Sequence, residues 1–254
     1  MSVCEKIDIG HAKYRLMNEV VDFLVGEDCT IFGGWIRDKI IHDHYADLFY
    51  GFSEGRKAYS DPTIHPESVL RLTYPKDIDV YKCGTKEDIH ALITKMTEHT
   101  GLHAKIVGGK GQYQIFEGVF VVKCYLSVTK CLRNSNLFSP LRFSVDFVYS
   151  EIPQVPPFGK LDYLCNGFLL TKQGLSFTTN GSGEWGNMSG SRFTIKRKIE
   201  NKIIGQILQK KTRKATISVD SNRERKMLKK DWKIFDHVSH FSQLKLGDDS
   251  TDSP

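Results

Sequence analysis

Apolar side chains recur at helical spacing near both ends of the chain. Over residues 11–25 every third or fourth residue is apolar, including Leu16, Val20 and Leu24. This spacing places them on one face of a helix, and Gly26 favours the end of that helix. The same periodicity predicts four further helices, over residues 35–44, 85–100, 192–214 and 223–235.

The middle of the chain carries short apolar runs separated by turn residues, a pattern that predicts strands. Within residues 141–149, Phe143, Val145 and Phe147 occupy alternate positions and therefore share one face. The predicted strands cover residues 29–32, 76–82, 103–107, 112–116, 119–126 and 141–149. Strands interspersed with helices indicate an α/β fold. We expect a mixed, twisted sheet with helices on one face, followed by a small helical C-terminal part.

Cap and turn residues predict where several elements begin and end. Thr85 is followed three positions later by Asp88, a capping-box pattern with a shorter carboxylate that predicts a helix start. Gly101 predicts the end of that helix, and the glycine-rich segment 108–111 predicts a hairpin turn. Residues 45–74, rich in Tyr, Ser, Gly and His, predict a long insertion that is either a solvated loop or a substrate-contacting lid.

Two aspartates, Asp77 and Asp79, stand at alternate positions of the predicted strand 76–82. Side chains two apart in a strand lie on one face, so these two carboxylates point the same way. Like charges held close together repel, and the pKa of one carboxyl rises unless a cation lies between them. Carboxylate oxygens are the ligands that Mg²⁺ prefers. The spacing therefore predicts a site for Mg²⁺ or Mn²⁺.

A pair of glycines, Gly33 and Gly34, separates the first predicted strand from the helix that follows. Without side chains they let a phosphate approach the backbone closely, and the N-terminus of the next helix favours an anion. A phosphate cradle beside metal-binding carboxylates is the minimum equipment for phosphoryl or nucleotidyl transfer.

The two motifs together, Gly-Gly-x-x-Arg-Asp ending at Asp38 and Asp-x-Asp at residues 77–79, carry a family resemblance. The chain resembles the nucleotidyltransferase fold of the DNA polymerase β superfamily. It is most similar to the class II branch, the CCA-adding enzymes and bacterial poly(A) polymerases. The resemblance implies that Asp77 and Asp79 bind the metal and catalyse transfer. It also implies a third carboxylate on a neighbouring strand, and Asp146 matches that pattern. The three carboxylates would then hold two Mg²⁺ ions.

The resemblance further implies a nucleotide site. Gly33, Gly34 and Arg37 would hold the triphosphate, although an ion pair between Arg37 and Asp38 that orients the catalytic strand is an equally consistent role. A second family motif, with its Asp and Asn four residues apart, matches Leu161–Leu170. In that motif Asp162 and Asn166 would help to hold the nucleotide from one face of a helix, with Asp162 as an alternative helix cap. The family's two preceding arginines are absent, and Lys160 stands in their place.

The positive charge of the chain is concentrated in its C-terminal third. The net charge is +6, but residues 192–233 contain fifteen Lys or Arg against four Asp or Glu, which leaves a negative remainder. Such asymmetry indicates a polyanionic partner; a solvated basic surface is the alternative. If RNA is the partner, the expected contacts lie at both ends of the first basic helix: Lys196, Arg197, Lys210, Lys211, Arg213 and Lys214.

Cysteine usage and hydropathy bear on the compartment. The six cysteines form no C-x-x-C pair, which argues against zinc, and several lie in apolar runs, as in proteins with reduced, buried thiols. No stretch has the length of a membrane span, and the N-terminus lacks the pattern of a signal peptide. We therefore expect an intracellular protein of the cytoplasm or nucleus, neither secreted nor in contact with a membrane.

These observations predict an organisation and a function. The expected catalytic core covers residues 1–170, with the insertion at 45–74, and precedes a basic, mainly helical region over 171–246 and a disordered acidic tail over 247–254. We expect a metal-dependent nucleotidyltransferase that uses a nucleoside triphosphate, ATP above all, and acts on an RNA 3′ end. A catalytically silent nucleic-acid-binding or assembly module is one alternative, and transfer to a protein or small molecule is another.

Overall fold

The computed structural model describes residues 3–50, 73–131, 138–156, 158, 161–178, 192–215 and 219–236. Its helices are α1 (Val3–Gly26), α2 (Gly34–Tyr50), α3 (Lys86–Thr100), α4 (Arg192–Leu208) and α5 (Ser221–Leu228). Its strands are β1 (Thr30–Phe32), β2 (Asp77–Cys83), β3 (His103–Ile106), β4 (Gln112–Phe116), β5 (Val119–Cys131), β6 (Phe138–Ser150), β7 (Phe168–Thr171), β8 (Gly174–Phe177), β9 (Lys211–Arg213) and β10 (Lys233–Phe235). The mixed α/β class predicted from the sequence is confirmed.

The main sheet has eight strands, in the order β3-β5-β6-β2-β1-β7-β8, and β4 pairs with β5 beside β3. Strands β2 and β6 run parallel, whereas the other neighbours in this sheet run antiparallel. Parallel strands need a long crossover between them. Here the crossover contains α3 and the strands from β3 to β5, so β2 and β6 meet at the centre of the sheet.

Different hydrophobic clusters pack against the two faces of the sheet. Apolar residues of α1, α2 and α3 join one core cluster with the inward residues of β2, β5 and β6. On the opposite face a smaller cluster of Tyr81, Val119, Val121 and Val148 packs with Phe32 and Phe158. The expected arrangement, with helices on one face, therefore describes α1, α2 and α3, and the second face is free of these three helices.

Local sequence signals account for the boundaries of α3. Thr85 is its N-cap, and the reciprocal hydrogen bonds of a capping box join Thr85 and Asp88. Gly101 ends the helix in the left-handed conformation, with φ of 66°, which a glycine adopts without steric cost. Both predictions for this helix are confirmed.

The segment 108–111 was expected to be a hairpin turn, and this prediction is wrong. Strands β3 and β4 both pair with β5, β3 with its later residues and β4 with its earlier ones. The two strands therefore lie one after the other along the same side of β5. The glycines between them form a short 3₁₀ turn, Gly109–Gly111. Helix α2 also extends beyond the predicted end near residue 44 to Tyr50, so the start of the expected insertion is helical; residues 51–72 lie outside the described ranges.

The C-terminal region departs from the two long helices expected for residues 192–214 and 223–235. Helix α4 ends at Leu208 and α5 at Leu228, and the residues after each helix form β9 and β10, a parallel pair. Lys210 and Asp231 have positive φ angles of 51° and 61°, a left-handed conformation that does not continue a helix. The predicted tail, residues 247–254, lies outside the described part of the chain.

The main hydrophobic core continues into this C-terminal region. Ile199, Ile203 and Ile207 of α4, together with Met227 and Trp232, belong to the same cluster as the helix-side core. Ile203 is 2% exposed. The basic region therefore packs as part of the core rather than as a separate body.

No helix within the described residues is long and apolar enough to cross a membrane. Among the cysteines whose side chains the structure describes, Cys29, Cys124 and Cys165 are buried free thiols and Cys83 is an exposed one. The burial predicted for cysteines in apolar runs is thus confirmed for Cys124 and Cys165, and Cys83 lies at the end of β2.

The shared core generates a stability prediction. Ile203→Ala is expected to lower the free energy of unfolding by about 2–5 kcal/mol, because it leaves a cavity in a closely packed core. The loss should appear in one cooperative denaturant transition, followed by both tryptophan fluorescence and circular dichroism. Leu228→Ala is the control; Leu228 is 54% exposed and its truncation should cost about 0.5 kcal/mol or less. An early, separate transition in the Ile203 variant would contradict a shared core.

Candidate active site

The sheet brings together two of the aspartates predicted from the sequence. In the parallel pair of β2 and β6, Asp79 lies directly opposite Asp146. Both point to the face away from the helices, since their neighbours along the chain are buried in the helix-side core: Ile78, Val80, Val145 and Phe147. Alternation along the two strands and the register between them thus place two carboxylates side by side.

The two carboxylates face a cleft of about 330 Å³. This volume lies at the lower end of the range for small-molecule sites. Of the predicted site residues, the cleft is lined by Gly33, Gly34, Asp79, Asp146, Asp162 and Asn166. It is also lined by Arg223 and by a set of apolar and aromatic residues: Phe32, Tyr113, Ile115, Val121, Val148, Phe158 and Leu161.

The carboxyl group of Asp79 has a strongly raised pKa in this cleft. Burial, followed by the charges of Asp77 and Asp146, raises the pKa of Asp79 to about 7. Its Oδ2 would lie 2.8 Å from a Cβ at position 33, and Gly33 has a φ of 76°. A side chain at Gly33 would therefore be strained and would displace the carboxylate. Among the described residues Asp79 has no ion-pair or hydrogen-bond partner.

Asp146, in contrast, has a cationic partner that the sequence did not reveal. Lys123 of β5 lies directly opposite Asp146 in the antiparallel pair with β6. Its Nζ is 2.8 Å from Oδ1 and donates a hydrogen bond to Oδ2 at 2.9 Å. Burial lowers the pKa of Lys123, but the hydrogen bond to Asp146 and the charge of that carboxylate outweigh it, and the net shift is upward. Lys123 therefore stays charged.

Asp77, the remaining predicted carboxylate, stands at the exposed start of β2 and does not line the cleft. Lys13 of α1 is close enough to feel its charge. Burial lowers the pKa of Lys13, and the attraction of Asp77 opposes part of that shift. Asp77 acts on the site through its charge, since it contributes to the raised pKa of Asp79.

The fit of a divalent cation can be judged from the donor atoms. In the described part of the chain, no group of three His, Cys, Asp or Glu side chains is arranged to hold a metal ion. The oxygen chemistry nevertheless suits Mg²⁺ or Mn²⁺. Asp79 is an unpaired carboxylate, whereas both oxygens of Asp146 lie within 2.9 Å of the Lys123 ammonium. Asp79 is thus the first residue that would hold an ion, with Asp146 beside it.

Arg37 does not reach the cleft, so a direct contact between its side chain and a triphosphate there is not supported. It is 5% exposed and pairs with Asp38 at 2.7 Å. Its Nη1 donates a hydrogen bond to Asn166 Oδ1 at 2.9 Å, and its guanidinium lies 5.2 Å from the ring centre of Trp232. The geometry favours a structural role for Arg37, in an ion pair with Asp38. The contacts of Arg37 join the start of α2 to the C-terminal region.

Asp162 and Asn166 do not share a helix, contrary to the prediction. The chain there forms only a 3₁₀ turn, Leu164–Asn166, whose N-cap is Tyr163 without a capping side chain. A longer helix is prevented because Asp162 and its neighbours bond to the C-terminal segment; the Asp162 carbonyl accepts a hydrogen bond from Ala215 N at 2.8 Å. Both side chains still line the cleft, where the carboxylate of Asp162 forms an ion pair with Arg223.

Two of the predicted cationic residues have little structural description. Lys160 lies outside the described residues, and for Lys196 only the helical backbone of α4 is described. Arg197 is exposed on α4 and Lys211 is half-buried in β9. Arg197 is therefore the clearest accessible member of the set expected to contact RNA.

The remaining predicted RNA contacts are engaged within the protein. They follow the end of α4 rather than extend it, so the expected cluster at both ends of one helix is wrong. Lys210 donates a hydrogen bond to a backbone carbonyl at 3.3 Å, and Lys214 pairs with Glu224 at 3.0 Å. The guanidinium of Arg213 lies 5.4 Å from the ring centre of Phe235. Accessible charge is found instead on α5.

The motif residues and the cleft are the main guides to function within the described part of the chain. No protein-family model, curated protein or solved structure matches it. The similarity to nucleotidyltransferases of the polymerase β superfamily therefore stays a hypothesis. It rests on Asp79, Asp146, Gly33 and Gly34 and on the positions of these residues around one cleft.

The raised pKa of Asp79 generates a pH prediction. Between the ordinary carboxyl pKa of 3.8 and about 7, Asp79 keeps a proton in the folded chain and loses it in the unfolded chain. Wild-type stability therefore falls as the pH rises through this window. Asp79→Asn, which cannot ionise, is expected to raise the melting temperature of the metal-free protein clearly at pH 8 and less at pH 5.

The measurement is a thermal melt of both proteins in a chelator at each pH. Asp22→Asn, at an exposed position of α1, is the matched control and should leave the melting temperature nearly unchanged at both pH values. The electrostatic interpretation of Asp79 would be wrong if its substitution had the same effect at pH 5 as at pH 8.

Proposed function

We propose that this protein is a metal-dependent nucleotidyltransferase. It transfers a nucleoside monophosphate from a nucleoside triphosphate, with ATP as the expected donor, to the 3′ end of an RNA. The observation that carries the proposal is the pairing of Asp79 with Asp146 across β2 and β6, facing a cleft bordered by Gly33 and Gly34. Carboxylates beside a glycine turn and a helix N-terminus are what a phosphate-bound metal requires.

The glycine turn and the start of α2 would hold the phosphates. Gly33 and Gly34 line the cleft without side chains, and α2 begins at Gly34 and runs for 17 residues. The N–H groups of its first turn have no partners within the helix, and its dipole favours negative charge. Arg223, also at the cleft, adds a cation that can contact phosphate oxygens.

Asp79 and Asp146 would hold the divalent ion, with Asp77 adding negative charge from the start of β2. When bound, such an ion lowers the pKa of an attacking hydroxyl and stabilises charge on the transferred phosphoryl group. The carboxylates are oriented by the sheet register, so their positions need little rearrangement. Asp79 would also give up its proton more readily beside a cation, because the cation offsets the charges that raise its pKa.

The apolar wall of the cleft supports a nucleotide as the ligand rather than a bare phosphate. Phe32 and Phe158 lie with ring centres 5.9 Å apart, and Tyr113 and Ile115 of β4 are 46% and 42% exposed. All four line the same cleft as the carboxylates. Aromatic and apolar surfaces beside a few charged groups are typical of sites that bind a base and its phosphates.

Accessible positive charge next to the cleft supports RNA as the acceptor. Helix α5 carries Arg223 into the cleft, and Lys226 lies three positions later, on the same side of the helix. Lys226 and Lys229 are both exposed. An RNA end that enters beside α5 would meet these charges before it reaches Asp79.

One observation favours a second candidate, a catalytically silent nucleic-acid-binding or assembly module. The Lys123 ammonium already neutralises Asp146, and Asp77 does not line the cleft. A site in which one of the two carboxylates is neutralised from within has less need of a metal. Transfer of label from a nucleotide is the measurement that separates this candidate from the enzyme.

The enzyme proposal predicts a loss of transfer without a loss of fold. With radiolabelled ATP, RNA and Mg²⁺ or Mn²⁺, Asp79→Ala should abolish the labelling of RNA, since an ion then loses a carboxylate. Asp146→Asn should lower the rate by about a hundredfold or more, a magnitude typical for the loss of one charge-stabilising group. Both variants should keep the wild-type circular dichroism, because Lys123 is partly exposed and can be solvated.

The matched control is Glu98→Gln, an exposed carboxylate on α3, which should retain full activity. Near wild-type turnover of Asp79→Ala at saturating Mg²⁺ would rule out the carboxylate assignment. Label incorporated into protein, or into neither RNA nor protein by the wild type, would point to a different acceptor or to the silent module.

RNA binding through the basic region predicts a steep dependence on salt. Each neutralised phosphate of a single strand contributes about −0.7 to the slope of log K against log salt, so about four contacts give roughly −3. The double substitution Lys226→Gln and Lys229→Gln should reduce that slope by about 1.4 and raise the KM for RNA. The KM for ATP should change little, because the triphosphate is assigned to the glycine turn.

The control is the double substitution Lys86→Gln and Lys105→Gln. Both lysines are exposed elsewhere on the surface, so this variant should leave the slope unaltered. Fluorescence anisotropy with a labelled oligoribonucleotide at several salt concentrations provides the measurement. A wild-type slope near zero would remove RNA as the partner.

A further inference from the structure

We propose that Lys123 takes the place of one divalent cation, so that the cleft binds a single Mg²⁺ or Mn²⁺ rather than a pair. The inference rests on the proposed function, in which Asp79 and Asp146 hold metal. It goes beyond that function, because it assigns the number of ions and gives a role to a lysine that no motif predicts.

The position of Lys123 is fixed by the sheet. Its neighbours Val122 and Cys124 are 1% and 0% exposed and belong to the helix-side core. A strand whose alternate residues are buried cannot slip by one position without exposing them. Lys123 must therefore point to the cleft face, directly opposite Asp146.

The ammonium occupies the space around Asp146 that a second cation would need. Its Nζ lies within 2.8 and 2.9 Å of the two carboxylate oxygens. The side chains of Lys123 and Asp146 are 29% and 18% exposed, so the attraction between them is screened less than at a fully exposed surface. A divalent ion that displaced Lys123 would leave an ammonium group beside a dication, where the two repel.

The charges and donor atoms around the cleft also suit one ion. Asp77, Asp79 and Asp146 together with Lys123 carry a net charge of −2, which a single divalent ion neutralises. Asp79 has no ion-pair partner among the described residues, whereas both oxygens of Asp146 lie within 2.9 Å of the Lys123 ammonium. Asp79 therefore offers its oxygen atoms to one ion, and Asp146 can add only a lone pair that the ammonium leaves free.

The test counts Mn²⁺ ions bound to the full chain, with free Mn²⁺ measured by electron paramagnetic resonance and no nucleotide present. The wild type should bind one ion, and Lys123→Met, which keeps the length of the side chain and removes its charge, should bind two. Asp79→Asn in the wild-type background should weaken the single site by about 10–100-fold or more. The double variant Lys123→Met with Asp146→Asn should return to one ion. Lys105→Met, at an exposed position of β3, is the matched control and should bind one.

Two bound ions in the wild type would overturn the proposal, as would a Lys123→Met protein that binds only one. A wild type that binds one ion but transfers no nucleotide would leave the ion count standing and overturn the transferase. A wild type that binds none would overturn both. Circular dichroism of each variant shows whether a change in binding comes from a loss of fold.

Discussion

The register of three central strands is the constraint on which the site depends. Strand β6 pairs with β5 on one side and with β2 on the other, and this places Lys123, Asp146 and Asp79 in one row across the sheet. Buried residues at the alternate positions hold each strand in place from the opposite face. A shift of one residue in any strand would exchange the two faces and bury a charge in the core. The same apolar contacts that stabilise the fold therefore position its charged groups.

A buried ion pair makes the C-terminal region part of this arrangement. Arg37 and Asp38 lie just after the glycine turn. Arg37 contacts Asn166 and the Trp232 ring, and Asp38 pairs with Lys230 at 3.2 Å. Removal of one partner of a buried pair leaves an uncompensated charge and costs far more than an exposed pair contributes. The Gly33–Gly34 turn and the C-terminal region are thus held together by a buried ion pair whose two residues do not line the cleft.

The sequence predicted the elements whose signals are local and missed those that depend on packing. The cap of α3, the alternation in β6 and the common face of Asp77 and Asp79 follow from spacing alone, and the structure shows the first two directly. Lys123 could be placed only when the register of β5 was known, although a lysine within an otherwise apolar run was a visible signal. The apolar periodicity of residues 192–208 gave no sign that the next residues would pair as strands, because β9 and β10 meet only in the folded chain.

The central pairing of β2 with β6 also bears on how the chain folds. The parallel strands β2 and β6 are far apart in sequence, since α3 and the strands β3 to β5 lie between them. Contacts of such long range form after a large loss of chain entropy and slow the folding of a domain. In the folded chain this pairing holds the carboxylates of Asp79 and Asp146 side by side, against their mutual repulsion. Lys123 lies opposite Asp146 in the pair of β5 and β6, and its positive charge offsets part of the repulsion that raises the pKa of Asp79. The sheet therefore carries its own counter-charge, whatever the concentration of metal around the protein.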